Sequence, residues 1–171
     1  MKRAVQVSIG LSVLTLIACG IPLAWQERNV DHCQDGVDAA LDHVYTAHRW
    51  TEADLPGIGG YLEVHYHLTE AGAPCTRGVP GPGDWGYQGV IRLRPEDGTR
   101  LAAAYDWAPL DDEDPVSGTP AAMWPGLAPF VPADPGWLHS DEYAELKATG
   151  AKRGDLFLSA DHSTAYFVLH T

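Results

Sequence analysis

Three side chains in one apolar segment have the residue types that bind transition metals. Glu63, His65 and His67 occupy every second position within residues 61–68. Because successive side chains of a β-strand point to opposite faces, this spacing places all three on one face. Two imidazoles and one carboxylate bind Zn²⁺ and leave a coordination position open for a reactive water. One hypothesis is therefore a metal-dependent hydrolase with a zinc site at His65, His67 and Glu63.

The same pattern has a second explanation that requires no metal. A strand with one face on the core and the other in solvent carries polar residues at every second position. Here the polar residues alternate with Leu62, Val64, Tyr66 and Leu68. The segment therefore also fits a half-buried strand whose solvated face includes two histidines.

Aromatic side chains within glycine- and proline-rich segments form a candidate binding surface. Trp85 and Tyr87 lie among glycines, and Trp124 and Trp137 lie among prolines. Trp and Tyr anchor many binding surfaces because a large rigid ring combines apolar area with a polar group. We interpret these four residues as a surface for a sugar ring, a peptide or another chain. The alternative is that long loops pack back on the domain through the same rings.

Motifs of several large enzyme classes are missing from the sequence. It contains no Gly-x-Ser-x-Gly elbow, no His-Glu-x-x-His, no phosphate-binding glycine loop with lysine and no dinucleotide fingerprint. We therefore favour a binding or structural role over an enzymatic one. No cofactor is predicted apart from the zinc of the alternative hypothesis.

The charge of the chain limits its partners. The 171 residues include 11 Lys and Arg against 23 Asp and Glu, which gives a net charge of −12. A chain of this charge is repelled by phosphate backbones, so nucleic acid is not an expected partner. The length fits one domain after an N-terminal segment is set aside.

The N-terminal segment is long and apolar enough to cross a membrane. Lys2 and Arg3 are followed by residues 4–25, which carry no charged side chain. As a helix this run spans roughly 33 Å, close to the ~30 Å hydrocarbon core of a bilayer. The positive-inside rule then places the N-terminus in the cytoplasm. We predict a cell-membrane protein with an N-terminal segment 1–26 and an extracytoplasmic domain 27–171, facing a protein or another cell-envelope partner.

Three fates of this segment remain open. An uncleaved single-pass anchor is favoured by Trp25, because tryptophan is enriched where membrane helices end. The run Leu16-Ile17-Ala18-Cys19 resembles a bacterial lipobox, which implies cleavage before Cys19 and a lipid on its sulfur. Ordinary signal cleavage after Ala18 or Gly20 is the third possibility.

Cys33 and Cys75 are the cysteines that remain in the predicted extracytoplasmic domain. Disulfides form and persist in such oxidising compartments. We therefore predict a Cys33–Cys75 disulfide.

The elements that must position these residues follow from periodicity and turn signals. Apolar residues at helical spacing predict a helix over 35–48, and Ser140 is the expected N-cap of a short helix that ends at Gly150. Alternation predicts a strand over 61–68. The dipeptide Asp97-Gly98 predicts a hairpin between Tyr87–Arg94 and Arg100–Trp107, and a second hairpin joins Asp155–Ala160 to Thr164–His170.

These elements predict an α+β fold. It would contain a mostly antiparallel sheet of about five strands, two short helices and long proline- and glycine-rich loops. Residues 108–136 are rich in proline and acidic side chains and show no sustained periodicity. We expect them to form an irregular, partly ordered excursion.

Overall fold

The computed structural model describes residues 32–33, 35–71, 75, 85–110, 118–148 and 152–170. Its central element is a six-stranded antiparallel sheet with the strand order β1-β2-β6-β5-β4-β3. The strands are β1 (Glu63–Ala71), β2 (Trp85–Arg92), β3 (Ala108–Pro109), β4 (Leu138–His139), β5 (Arg153–Leu158) and β6 (Thr164–His170). The predicted α+β class with an antiparallel sheet is confirmed.

Short helices complete the described part of the chain. They are α1 (32–33 and 35–41), α2 (Pro95–Ala104) and α3 (Asp141–Ala148). Two 3₁₀ helices cover Pro120–Ala122 and Pro125–Phe130. The Ser140 hydroxyl accepts a hydrogen bond from the Tyr143 backbone N–H at 3.3 Å, so the predicted N-cap of α3 is confirmed.

The first face of the sheet carries the larger of two hydrophobic cores. Val64, Ile91, Ala165 and Leu158 align across four strands in the register of the sheet. They pack beneath the segment 50–61 and helices α2 and α3. The covering side chains include Trp50, Leu55, Ile58, Leu101 and Tyr143, all of them buried.

The second face is covered by a segment that is rich in proline. Residues 118–137, which we call the proline-rich layer, place the fully buried Leu127 against Val90, Phe157, Tyr166 and Val168. Much of the predicted irregular excursion 108–136 is therefore ordered through side-chain packing. Residues 111–117 of that excursion lie outside the described residues.

The predicted hairpin around Asp97-Gly98 is wrong. Pro95 begins helix α2, and Glu96 and Asp97 lie in its first turn, where carboxylates favour the positive end of the helix dipole. Strand β2 pairs with β1 and β6 instead. Gly98 serves helix packing here, because a Cβ at this position would lie 2.0 Å from the carbonyl oxygen of His162.

The predicted helix over 35–48 ends early. Helix α1 reaches residue 41, and Tyr45 pairs with Tyr66 on the edge strand β1. The two residues exchange backbone hydrogen bonds of 2.7 and 2.9 Å. Their rings stack with centroids 5.5 Å apart. Pairing with the sheet edge satisfies backbone groups of β1 that would otherwise need solvent, and it overrides the helical period.

Two further predictions are confirmed. Strands β5 and β6 form the hairpin around 159–163, and the Leu158–Ala165 pair lies next to the turn. Cys33 and Cys75 form a disulfide with an S–S distance of 2.05 Å and a Cα–Cα distance of 5.7 Å.

Replacement of Gly98 by alanine tests the close packing of α2. Alanine is the better helix former, so propensity alone predicts a gain of about 1 kcal/mol. We expect Gly98→Ala instead to lower the free energy of unfolding by about 1–3 kcal/mol, because the added methyl group overlaps the His162 carbonyl. Urea unfolding measures the difference.

Gly36 in α1 provides the matched control. Nothing lies within 4 Å of a Cβ built at this position. Gly36→Ala should therefore raise the free energy of unfolding by about 0.5–1 kcal/mol. A stabilised Gly98→Ala variant would contradict the packing explanation.

Removal of the disulfide should lower stability. The bridge joins residues 42 apart in sequence, and the loop-entropy model gives about 4 kcal/mol for a loop of this length. We expect the Cys33→Ser/Cys75→Ser variant to lose about 2–4 kcal/mol in urea unfolding. An unchanged unfolding midpoint on reduction of the wild-type chain would refute this.

Candidate functional site

A pocket at the β1–β2 edge of the sheet is lined mostly by aromatic side chains. Its volume is about 260 Å³. Because Leu68 and Tyr87 are register partners, alternate residues of β1 and β2 point into the same space. The lining residues, which define the aromatic pocket, are Tyr45, Arg49, Tyr66, Leu68, Trp85 and Tyr87.

Trp50 supports the aromatic pocket from the core. Its ring makes edge contacts with Tyr66, Tyr87 and Phe167 at centroid distances of 5.3, 5.1 and 5.0 Å. Such edge-to-face pairs contribute about 0.5–1.5 kcal/mol each beyond buried area. With only 3% of its surface exposed, Trp50 holds both pocket strands in a fixed position.

Gly89 makes this aromatic cluster possible. It lies in β2 between Tyr66 and Phe167, its register partners on the two neighbouring strands. A Cβ here would lie 2.4 Å from Phe167 Cζ and 2.8 Å from Tyr66 Cβ. The absent side chain therefore gives the rings of the neighbouring strands the space that they fill.

Arg49 brings a positive charge to the rings of the pocket. Its guanidinium carbon lies 5.0 Å from the Trp50 ring centroid and 5.3 Å from that of Tyr87. Burial tends to lower the pKa of Arg49, but hydrogen bonding to Tyr66 and Tyr87 outweighs it and the pKa is raised. The group is therefore a permanent cation.

The two cations near Trp50 differ in their partners. Lys152 Nζ lies 5.1 Å from the Trp50 centroid, and it also forms an ion pair with Asp54 at 2.5 Å. Among the ion pairs of the described residues, none includes Arg49. The described lining of the pocket also includes no Asp or Glu. Within the described part of the chain, Arg49 is therefore hydrogen-bonded to tyrosines and is neutralised by no carboxylate.

The residues predicted as zinc ligands share one face of β1, but each has another partner. Glu63 pairs with Arg92 at 3.4 Å. His65 stacks on Phe130 with ring centroids 3.5 Å apart, and His67 stacks on Trp124 at 4.4 Å. Within the described ranges, no group of three His, Cys, Asp or Glu is arranged to hold a metal ion.

The face that carries these histidines is not the solvated face that the sequence pattern suggested. His67 is 5% exposed, because the proline-rich layer covers it. The Trp124 backbone N–H donates a hydrogen bond of 2.9 Å to the Gln88 side-chain oxygen, which ties the layer to β2. The alternation of apolar and polar residues in β1 correctly predicted a strand with two different faces. It does not indicate what covers each face.

The sheet separates the four aromatic residues predicted as one binding surface. Trp85 and Tyr87 line the aromatic pocket. Trp124 stacks on His67, and Trp137 lines a cavity of about 460 Å³ within the proline-rich layer on the opposite face. The packing alternative therefore applies to Trp124.

Four of the six pocket residues were not predicted from the sequence to belong to a binding site. Tyr66 and Leu68 were placed on the inward face of their strand, which was correct, but no pattern marked the edge of the core as a pocket. Tyr45 was assigned to a helix, and Arg49 carried no motif. The available signal was the close spacing of Tyr45, Arg49 and Trp50 in the sequence.

No protein-family model, curated protein or solved structure matches this chain. Of the helices in the described ranges, none has the length and apolar character needed to cross a bilayer. Residues 4–25 and Cys19 lie outside those ranges. The chemistry of the aromatic pocket is therefore the basis for a functional proposal.

Protonation of His67 is expected to weaken the attachment of the proline-rich layer, because the ring is buried against Trp124. Burial lowers its pKa from 6.5, although contacts with Leu41 and Gln88 partly oppose this. A group that is held neutral in the fold contributes stability above its unfolded-state pKa, and this is lost as the pH falls towards the folded-state pKa. We expect wild-type unfolding free energy to fall between about pH 7.5 and about pH 5.5.

The His67→Gln variant isolates this contribution. Glutamine does not titrate, so its free energy of unfolding should fall less steeply over the same pH interval. Only the slopes are compared, because the variant also loses the stack on Trp124 at every pH. Identical slopes would show that His67 does not cause the pH dependence.

Proposed function

We propose that this chain is a ligand-binding module of the cell envelope, tethered to the membrane, which holds one ring of its ligand in the aromatic pocket. The observation that carries the proposal is the open space bounded by Tyr45, Tyr66, Trp85 and Tyr87. Concave sites lined by aromatic side chains with a few polar groups are typical ligand sites. A structural role alone does not require such a space.

The size of the pocket supports a small ligand group. Its volume of about 260 Å³ lies just below the range of roughly 300–1,000 Å³ that accommodates drug-sized molecules. One six-membered ring fits this space, whereas a folded domain does not. The bound ring can belong to a larger envelope component whose remainder stays in solvent.

The rigidity of the pocket supports binding without large rearrangement. Tyr66 and Tyr87 lie on paired strands above the buried Trp50. Tyr45 is fixed by its backbone pair with Tyr66. A preformed site loses little conformational entropy when a ligand binds.

The membrane attachment in this proposal rests on sequence. Residues 4–25 are uncharged and follow Lys2 and Arg3, which supports a single-pass anchor or, through Cys19, a lipid anchor. The Cys33–Cys75 disulfide is consistent with an oxidising compartment and so supports the extracytoplasmic side. A zinc hydrolase is not proposed, because Glu63, His65 and His67 have other partners.

Saturation-transfer NMR on the full chain in lipid nanodiscs tests the pocket, with glucose and glucuronate as single-ring probes. We expect saturable transfer to at least one probe, with a dissociation constant in roughly the millimolar range for a single ring. Trp85→Ala should reduce the transfer at least about tenfold, because a stacking face is lost.

Trp137→Ala is the matched control. It removes the same side chain from the cavity on the other face of the sheet. This variant should bind the probes as the wild type does. Absence of transfer in the wild type, or equal loss in both variants, would reject the aromatic pocket as the ligand site.

A further inference from the structure

The charge of the ligand is constrained by Arg49. An aromatic pocket without charged groups attracts cations, because the faces of the rings are negative. In this chain the cation position is already occupied, since the Arg49 guanidinium lies 5.0 Å from the Trp50 centroid and 5.3 Å from the Tyr87 centroid. A second cation in the pocket would be repelled by the first.

The same guanidinium offers a partner to an anion. Among the described residues it forms no ion pair with a carboxylate, and none of the described lining residues is acidic. This arrangement contrasts with Lys152, whose charge is compensated by Asp54. A carboxylate that enters the pocket therefore meets a planar cationic donor that is hydrogen-bonded to two tyrosine hydroxyls but, among the described residues, has no carboxylate partner.

Polar groups at the pocket distinguish a sugar from a plain aromatic ring. The Tyr66 and Tyr87 hydroxyls accept from Arg49 and keep a proton to donate, and the Tyr45 hydroxyl, which donates to the Ala40 carbonyl oxygen at 3.4 Å, can still accept. A sugar ring presents an apolar C–H face to the rings and hydroxyls at its edge, so it uses both kinds of group. Benzoate has no ring hydroxyl that could use the remaining hydrogen-bonding capacity of these groups.

We propose that the ligand is an acidic sugar, with its ring on the aromatic faces and its carboxylate on the Arg49 guanidinium. This inference rests on the proposed function and adds the charge and the chemical class of the ligand. Arg49 is then the residue that determines specificity, and the rings supply affinity that does not depend on charge.

The experiment compares glucuronate, glucose, choline and benzoate on the full chain in lipid nanodiscs by saturation-transfer NMR titration. We expect wild type to bind glucuronate at least about tenfold more tightly than glucose, since the carboxylate adds a charge-assisted hydrogen bond. The glucuronate dissociation constant should rise with ionic strength, and the glucose constant should not. Choline should not bind.

Arg49→Met should remove the preference. It keeps an apolar side chain over Trp50 but loses the charge, so glucuronate should bind no better than glucose, and choline should now bind. Arg49→Lys should retain part of the preference for glucuronate. Arg153→Met is the matched control, because it removes the same charge from β5 and should leave the preference unchanged.

The outcomes separate the two proposals. Equal binding of glucose and glucuronate to wild type, or a preference that survives in Arg49→Met, overturns the role of Arg49 and leaves the pocket intact. Benzoate binding as tightly as glucuronate, with no binding of glucose, overturns the sugar class. Absence of binding by every probe rejects the proposed function together with this inference.

Discussion

The packing of Trp50 against three neighbouring aromatic rings is the contact on which most of the structure depends. The ring joins β1, β2 and β6 through Tyr66, Tyr87 and Phe167. Gly89 gives these rings their space. Tyr66 and Tyr87 of this cluster also line the aromatic pocket, so side chains that stabilise the core also position the candidate site. A substitution that disorders this part of the core should therefore also disorder the pocket.

The sheet gives the molecule two chemically different sides. On the first face, tyrosine rings and a guanidinium surround an open space, and helices close the remainder. On the second face, histidine rings lie against aromatic residues of the proline-rich layer. Both arrangements use flat rings, but of the two cavities in the described part of the chain only the one on the first face is lined by a guanidinium. The proposed ligand site and the contacts that attach the proline-rich layer therefore lie on opposite faces of one sheet.

Local patterns predicted the elements whose signals are complete within a few residues. The alternation in β1, the Ser140 cap and the hairpin before Thr164 depend on near neighbours, and each is present. The hairpin predicted at Asp97-Gly98 was wrong, because Gly98 packs against the carbonyl group of His162, which is distant in sequence. The helix predicted at Tyr45 was wrong, because pairing with the edge strand β1 outweighed the helical spacing of the apolar residues. Contacts between residues that are distant in sequence do not produce a periodic pattern along the sequence.

The candidate site was predicted only in part for the same reason. Trp85 and Tyr87 were recognised by residue type, whereas Arg49 and Tyr45 reach the pocket through tertiary pairing. The spacing of His65 and His67 correctly placed both on one face of β1. It does not indicate that Phe130 and Trp124 stack on them. Residue type indicated chemistry, and topology decided which groups meet.

The Cys33–Cys75 bridge has a consequence for recognition beyond its effect on unfolding. Cys33 lies on the stretch of chain that leads to Tyr45, and Cys75 precedes Trp85. The covalent bond therefore ties helix α1, which precedes Tyr45, to the chain that follows β1, the strand with which Tyr45 pairs. With the bridge reduced, the Tyr45 wall of the pocket would depend on its backbone pair and ring stack with Tyr66.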